Sequence, residues 1–191
     1  MVAASILPIC IHNGKLHFLF GKENPMEQSA KGWSDFGGRK EANESIYKAA
    51  LREGSEELTG FLGDENKLKQ TIRKNGGYHK ISHNQYHIHL FYLPYDPCLV
   101  KHYNDNHEFI WNRMEKMNEV QKKLMNETRI FEKIELCWFS IDDMEKRKGE
   151  FRNFYQEIVD KFIENEKEII QFLKTKNKNT GRRTTAKKKE H

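Results

Sequence analysis

The chain has few cysteines, and their arrangement excludes two kinds of covalent or metal cross-link. Only Cys10, Cys98 and Cys137 occur among 191 residues. Their number is odd and no two have CxxC spacing, so the sequence predicts neither a disulfide framework nor a zinc site built from thiolates. We therefore expect a reducing, cytoplasmic compartment.

Long apolar runs are also missing. The first eleven residues, MVAASILPICI, lack a charged leading segment, and polar Asn13-Gly14 follows soon after, so we expect neither a signal peptide nor a membrane span there. No other segment is apolar enough to span a membrane, and no membrane partner is expected. A content of 37% hydrophobic and 12% aromatic residues suits one folded domain with a substantial core.

Residues 174–191 lack apolar side chains except Ala186. They contain eight Lys or Arg against the single acid Glu190, in a chain whose formal net charge is +5. Such a segment cannot bury enough apolar surface to offset its ordering entropy, which predicts a disordered basic tail. A polyanion such as RNA would be a suitable partner, although a merely solubilising tail has the same composition.

Residue periodicity predicts alternating strands and helices before the tail. Predicted strands cover residues 5–11, 16–20, 84–93 and 134–141, the first two joined by a hairpin at Asn13-Gly14. Predicted helices cover residues 45–58, 109–124 and 151–173, and the polar stretch 59–83 is expected to be a loop. This order predicts an α/β fold with helices on both sides of a mixed sheet.

Several aromatic residues and histidines invite a functional interpretation. The strand 84–93 alternates, which predicts a half-exposed strand with His87 and His89 on one face. Strand histidines are more often surface or substrate-wall residues than ligands, so we assign these two no catalytic role. Trp33, Phe36 and Tyr86 could stack a nucleobase, but we expect them in the core.

Glutamates gather on one stripe of the predicted helix 45–58. At about 100° per residue, its apolar start shares a face with Glu53 and Glu57, and Glu56 borders that face. Carboxylates crowded beside a core repel one another and lose solvation unless a cation lies among them. Oxygen ligands favour Mg²⁺ or Mn²⁺. A solvated acidic helix face is the alternative, and the stripe alone does not exclude it.

The residues around the stripe favour the metal hypothesis. Gly38, Glu44, Arg52-Glu53 and Glu56-Glu57 have the spacing of a known signature. The pattern resembles the Nudix box, which is Gly, five residues, Glu, seven residues, Arg-Glu, an apolar residue, any residue, Glu-Glu, any residue, Gly, and an apolar residue. The resemblance covers residues 4–173 and implies a Nudix-like α/β/α sandwich, with a helical insertion at about 96–128 and the tail at 174–191.

Two positions depart from the box. Gly54 stands where the family has an apolar residue, which weakens the helix by about 1 kcal/mol. Thr59 stands where a glycine closes the motif, although Gly60 could supply the left-handed turn that ends the helix. We expect both changes to affect the exit of the helix more than a metal site.

The resemblance implies a role for each matching position. Bound Mg²⁺ or Mn²⁺ would bridge diphosphate oxygens and lower the pKa of a water that attacks phosphorus in line. Arg52 and Glu44 would orient the site by ion pairing. A further acid is implied after the central strands, for which we favour Glu132, followed by Glu135 and Glu127. The predicted catalytic residues are Glu53, Glu57, Arg52 and Glu132, and the predicted metal ligands are Glu53, Glu56, Glu57 and a carbonyl at Gly38.

The box implies a diphosphate linkage but not what is attached to it. The basic tail and the cations at Lys67, Lys69, Arg73, Lys74 and Lys80 favour a nucleotide pyrophosphate, namely the 5′ cap or 5′ end of RNA. One alternative is a small-molecule pyrophosphohydrolase for nucleoside triphosphates, dinucleoside polyphosphates or diphosphoinositol polyphosphates. Another is a non-catalytic RNA-binding module with the same fold. Oligomeric state is not predicted.

Overall fold

A mixed sheet of seven strands organises the computed structural model, which describes residues 1–24, 31–119, 121, 123 and 132–175. β1 pairs in parallel with β6 and antiparallel with β2 and β4, while β7 pairs with the other edge of β2. The strands are β1 Ala3–His12, β2 Lys15–Glu23, β3 Trp33–Ser34, β4 Phe36–Arg39, β5 Tyr78–His83, β6 Tyr86–Tyr92 and β7 Lys133–Ser140.

The predicted hairpin joins β1 and β2. Asn13 and Gly14 both have positive φ, 49° and 76°, as a two-residue turn that matches the strand twist requires. In β1 the side chains then alternate between two faces, with Leu7 and Ile9 on one and Ile6 and Cys10 on the other. The central strand therefore contributes to two separate hydrophobic cores.

Helices cover both faces of the sheet, which confirms the predicted α/β class. Three of them, α1 Ile46–Glu57, α2 Glu65–Lys74 and α3 Pro97–Glu115, contribute buried residues to the core on one face. The helix Gln156–Glu164 and helical residues 166–175 pack Phe162, Ile169 and Leu173 on the other. The predicted single helix 151–173 is thus divided at Asn165, after a turn of 3-10 helix at Asn153–Tyr155.

The polar stretch 59–83 is structured, contrary to the predicted loop. Asp64 caps α2 by accepting a hydrogen bond from the N–H of Lys67 at 2.8 Å, and only Leu68 and Ile72 bury apolar surface. Two apolar residues per helix are too few to show a period. α3 begins at Pro97, earlier than predicted, because Asp96 caps it and proline fits the first helical turn.

β6 is not the half-exposed strand that its alternation predicts. Ile88 and Leu90 face one core, whereas Phe91 and His89 face the other, and all four are buried. Parallel pairing with β1 on one edge and antiparallel pairing with β5 on the other place this strand inside the sheet. His89 is therefore a core residue, which the two-residue period of the sequence could not distinguish from a surface residue.

Two predicted segments fall partly outside the described residues. The basic tail does so from residue 176 onward, whereas Lys174 and Thr175 continue the last helical residues. The predicted insertion does so at residues 120, 122 and 124–128, which include Glu127. Within the described ranges, no helix combines the length and apolar character needed to cross a membrane.

The two departures from the box have different structural causes. A Cβ on Gly54 would lie 2.4 Å from the side chain of buried Ile6, so the missing side chain lets α1 approach β1 closely. Thr59 itself adopts the left-handed conformation, with φ of 48°, and Gly60 follows at 76°. A β-branched residue is disfavoured in that conformation.

Replacing Thr59 with glycine should therefore stabilise the protein. The left-handed conformation costs an L-residue roughly 1–2 kcal/mol, and glycine's extra chain entropy offsets part of the gain, so we expect about 1 kcal/mol in the free energy of unfolding. Urea denaturation measures it. The matched control Thr71→Gly lies inside α2, where glycine is a poorer helix former than threonine, and should instead destabilise by about 0.3–0.5 kcal/mol. Equal losses in both variants would contradict the assignment of strain to Thr59.

Candidate active site

Helix α1 presents the predicted glutamates because its first two turns are anchored in the core. The hydroxyl of Ser45 caps the helix by accepting from the N–H of Lys48 at 3.1 Å, and Ala49 and Ala50 are fully buried. The same inward stripe continues to Glu53 and Glu57, which are 9% and 7% exposed. Both carboxylates therefore lie at the edge of the core, where water screens charge poorly.

Arg52 holds the first part of the site together. Its guanidinium donates to both oxygens of Glu44, at 2.8 and 3.3 Å, and to Glu53 Oε1 at 2.8 Å. It also donates to the carbonyl of Arg39 at 3.0 Å, while Glu56 lies 3.7 Å away. The hydrogen bonds from Arg52 lower the pKa of Glu44. The ion pairing that the Nudix resemblance implies is thus present and fixes α1 to the end of β4.

The glycine pair beside the helix, Gly37-Gly38, is needed for space. Gly37 and Gly38 lie within β4, and neither has positive φ. A Cβ on Gly37 would lie 2.3 Å from Ser5, and one on Gly38 would lie 2.6 Å from the carboxylate of Glu53. The bare backbone lets the N–H of Gly37 donate to Glu57 Oε2 at 2.9 Å.

A buried ammonium group lies behind Glu57. Lys133, at the start of β7, has no exposed surface, and its Nζ lies 3.5 Å from Glu57 Oε2. The same Nζ forms an ion pair with Glu23 and donates to the hydroxyl of Ser34 at 2.8 Å. Arg152 supplies a second cation to Glu23 at 2.9 Å. These groups form a charge network that joins α1, β2 and β7.

Burial dominates the titration of Glu57. Its pKa is raised well above the usual value because the carboxylate is desolvated; Lys133 opposes that rise, whereas the charges of Glu23 and Glu132 add to it. The folded protein therefore binds this proton more tightly than the unfolded chain does. The stability that comes from tighter proton binding at Glu57 is present at low pH, and it is lost as the pH rises through the raised pKa.

Glu132, the favoured further acid, lies within electrostatic range of the helix. Its charge raises the pKa of both Glu57 and the buried Tyr103. Glu135 is further out, because it forms a half-exposed ion pair with Lys22 at 3.2 Å. The structure therefore brings Glu132 toward α1, and its catalytic role remains a prediction.

Another buried carboxylate, Asp35, was not predicted. It is 1% exposed and accepts hydrogen bonds from Ser5 and from the hydroxyl of Tyr86, the latter at 2.5 Å. Burial raises its pKa. Asp35 lies beside the aromatic residues of β3 and β4, where Trp33 and Phe36 are core residues as predicted. The signal in the sequence that could have identified Asp35 is the position of an acid between the aromatic residues Trp33 and Phe36.

The histidines of β6 take no part in the glutamate cluster. His89 is buried, its Nδ1 lies 3.0 Å from the carbonyl of Ser5, and burial lowers its pKa to about 4. His87 pairs with the hydroxyl of Ser82 at 2.8 Å.

The ligand atoms of the glutamate cluster are of the kind that a hard divalent cation prefers. Their present side-chain positions do not converge on one ion. Glu53, Glu56, Glu57 and the backbone at Gly38 offer only oxygen ligands, which suit Mg²⁺ or Mn²⁺. Among the described residues, no three His, Cys, Asp or Glu side chains are arranged to bind one ion. Arg52 and Lys133 supply the counter-charge instead.

Comparisons with known proteins find similarity mainly among solved structures. No family model matches the chain. A 59-residue segment is 42% identical to an uncharacterized protein of Acanthamoeba polyphaga mimivirus, covering 30% of this chain and 19% of the relative's length. The chain thus aligns with about a fifth of that relative.

Three solved structures are similar over most of the chain. An Ap4A hydrolase of C. elegans is 16% identical, with a TM-score of 0.48, covering 88% of this chain and 98% of that one. A mutT/nudix family protein from Listeria innocua is 15% identical (TM-score 0.43; 88% and 93% covered), and a NUDIX hydrolase from Nitrosomonas europaea is 17% identical (TM-score 0.38; 86% and 88% covered). We base the functional proposal on the site itself.

The charge network predicts a large effect for Lys133→Met. Removing one partner of a buried ion pair strands the other charge and costs about 3–5 kcal/mol, measurable as a lower free energy of unfolding in urea. The control Lys148→Met breaks a partly exposed pair with Asp160 and should cost at most about 1 kcal/mol. Adding Glu57→Gln to Lys133→Met should recover part of the loss. Equal effects of the two lysine variants would contradict a buried network.

Proposed function

We propose that this chain is a Nudix hydrolase that cleaves a pyrophosphate linkage in a nucleotide-containing substrate with the help of Mg²⁺ or Mn²⁺. One observation carries the proposal: Arg52 holds Glu44 and Glu53 together while Glu57 is bonded to the glycine pair. The charged residues of the box thus lie along α1 beside β4. A solvated acidic face would have no reason to bury two of its carboxylates beside an arginine and a lysine.

Glu53, Glu56, Glu57 and a carbonyl at Gly38 would hold the metal. When bound, the cation would neutralise diphosphate charge and lower the pKa of an attacking water. Arg52 keeps Glu53 aligned, and the N–H of Gly37 fixes one oxygen of Glu57. Lys133 favours the ionised form of Glu57, the form that a metal ligand needs. Glu132, from the segment before β7, is our candidate for accepting a proton from water.

We further propose that the substrate is the 5′ cap or 5′ end of RNA. All five cations singled out in the sequence, on α2 and β5, are exposed: Lys67, Lys69, Arg73, Lys74 and Lys80. α2 packs against α1, so these charges lie on the same side of the sheet as the glutamates. Exposed cations next to a phosphate-cleaving site favour a polyanion longer than a single nucleotide.

Glu57→Gln tests the reaction itself. The variant should lose at least about a hundredfold in kcat with Mg²⁺, since even the partners that only orient a metal ligand cost 10–100-fold when replaced. Without metal it should melt no lower than wild type, and its stability should vary less with pH above the usual glutamate pKa, because a neutral side chain removes charge from a crowded, buried site. The control Glu145→Gln changes an exposed glutamate on Ile141–Lys146 and should leave turnover intact.

The assay should compare capped RNA, free cap analogue, nucleoside triphosphates and dinucleoside polyphosphates, with and without chelator. Loss of turnover in Glu57→Gln with every substrate supports the proposed site. Full activity of that variant, or full activity in excess chelator, would refute it. Preference for the small molecules would leave the reaction standing and replace the proposed substrate. Binding of RNA without hydrolysis would favour the non-catalytic module.

Deleting residues 176–191 tests the basic tail. The cut preserves buried Leu173 and the last helical residues and removes seven of the eight tail cations. If these cations neutralise RNA phosphates, the slope of log affinity against log salt should fall by roughly 0.7 for each phosphate no longer neutralised, and KM for long RNA should rise. Turnover of free cap analogue should barely change. A full-length control with Gln at those seven positions should behave like the truncation, and an unchanged salt slope would exclude the tail as an RNA arm.

A further inference from the structure

A cavity of about 390 Å³ lies between α3 and the beginning of β7, outside the glutamate cluster. Its walls are Asn104, His107, Glu108, Trp111, Ile134 and Glu135. A volume of this size suits a small ligand or part of one. The inference drawn from it rests on the proposed function, because it concerns the substrate of the same site.

The helix that forms one wall of the cavity, α3, also contacts the glutamate helix. The hydroxyl of Tyr103 on α3 lies 3.1 Å from the carbonyl of Glu57 and 2.9 Å from that of Lys133, which immediately precedes Ile134. Trp111 follows Tyr103 by eight residues, or about 12 Å along the helix. A substrate with its diphosphate at α1 can therefore extend along α3 and place its base beside Trp111.

The inner wall of the cavity is rigid. The amide of Asn104 bonds to the N–H of Leu136 at 2.7 Å and to its carbonyl at 3.1 Å, as a neighbouring strand would. His107 is buried and stacks on Tyr103, with ring centroids 3.9 Å apart and planes at 12°. These contacts fix α3 to the edge of β7 that does not pair with β2.

The lining combines an aromatic face with carboxylates. Trp111 is partly exposed, whereas Trp33 and Trp138 are buried. Glu108 is exposed and forms no ion pair within the described part of the chain, and Glu135 shares its charge with Lys22. An indole ring stacks on bases, and a cationic ring gains further attraction from its face. Guanine places two N–H donors side by side, which match a carboxylate, whereas adenine alternates donor and acceptor.

We propose that this cavity binds the guanine base of the substrate, stacked on Trp111 and hydrogen-bonded to Glu108, with a preference for the positively charged N7-methylated form. Methylation at N7 gives the ring a positive charge, which strengthens both its attraction to the indole face and its attraction to the carboxylates. The cavity therefore gives the 5′ cap a recognition site separate from the phosphates.

Quenching of intrinsic tryptophan fluorescence tests the proposal without turnover, because 7-methyl-GMP, GMP and AMP contain no pyrophosphate. We expect 7-methyl-GMP to quench and to bind more tightly than GMP, and AMP to bind most weakly. Trp111→Phe should abolish the quenching. Trp111→Ala should weaken the binding of 7-methyl-GMP by about tenfold or more, as measured by calorimetry, in line with the loss of one stacking partner. Glu108→Gln should reduce the preference for the methylated base.

Phe109→Ala is the matched control, since Phe109 is a 72% exposed aromatic on the same helix and outside the cavity lining. It should bind 7-methyl-GMP as wild type does. Equal affinity for AMP and 7-methyl-GMP, or unchanged binding in Trp111→Ala with an unchanged unfolding midpoint, would overturn the proposal.

Turnover separates this result from the proposed function. Trp111→Ala should raise KM for capped RNA with little change in kcat, whereas Glu57→Gln should lose kcat. If Trp111→Ala hydrolyses and binds capped RNA normally while Glu57→Gln is inactive, only the base site fails. If Glu57→Gln remains fully active, the proposed reaction fails whatever the cavity binds.

Discussion

The structure depends on the balance of charge around the buried ammonium of Lys133. Two carboxylates, Glu23 and Glu57, lie beside it, and Arg152 adds a second cation. Desolvated carboxylates could not be ionised together without these cations, since their repulsion would act in a medium of low polarity. The network also joins distant segments, because β2, α1, β7 and the segment that precedes the helix Gln156–Glu164 each supply one charge. The arrangement of the glutamates and the packing of the fold thus depend on the same contacts.

Glycine determines how closely the layers meet at this site. Gly54 lets α1 lie against Ile6, and the pair Gly37-Gly38 lets β4 pass between β1 and the glutamates. Side chains there would separate the helix from the sheet and remove the N–H of Gly37 from Glu57. The glycine that weakens the helix and the glycine pair in β4 thus both serve the close contact between α1, β1 and β4.

Local signals in the sequence were sufficient to predict the parts of the fold that depend on neighbouring residues. The Asn13-Gly14 hairpin, helix α1 and the stripe of glutamates each depend on neighbours in the chain, and the structure places them as expected. Prediction failed where contacts between distant parts of the chain determine burial or secondary structure. His89 is buried because β6 has a strand on each side, and α2 is a helix because two residues find a surface on α1. No local pattern shows that Lys133 will meet Glu23 or that Asp35 will meet Tyr86.

The pairing of Glu23 with cations near the other end of the chain has a consequence for the order in which the protein folds during synthesis. Glu23 lies 110 residues before Lys133 and 129 residues before Arg152. While the ribosome is still translating the middle of the chain, β2 lacks both β7 and its counter-ions, so its buried edge and its carboxylate have nothing to pair with. Long-range pairings of this kind form late in folding. A long loop must close first, at a cost in chain entropy, before the pairing can stabilise the structure. The glutamate helix, although encoded early, can acquire its final surroundings only after residue 152 has emerged from the exit tunnel.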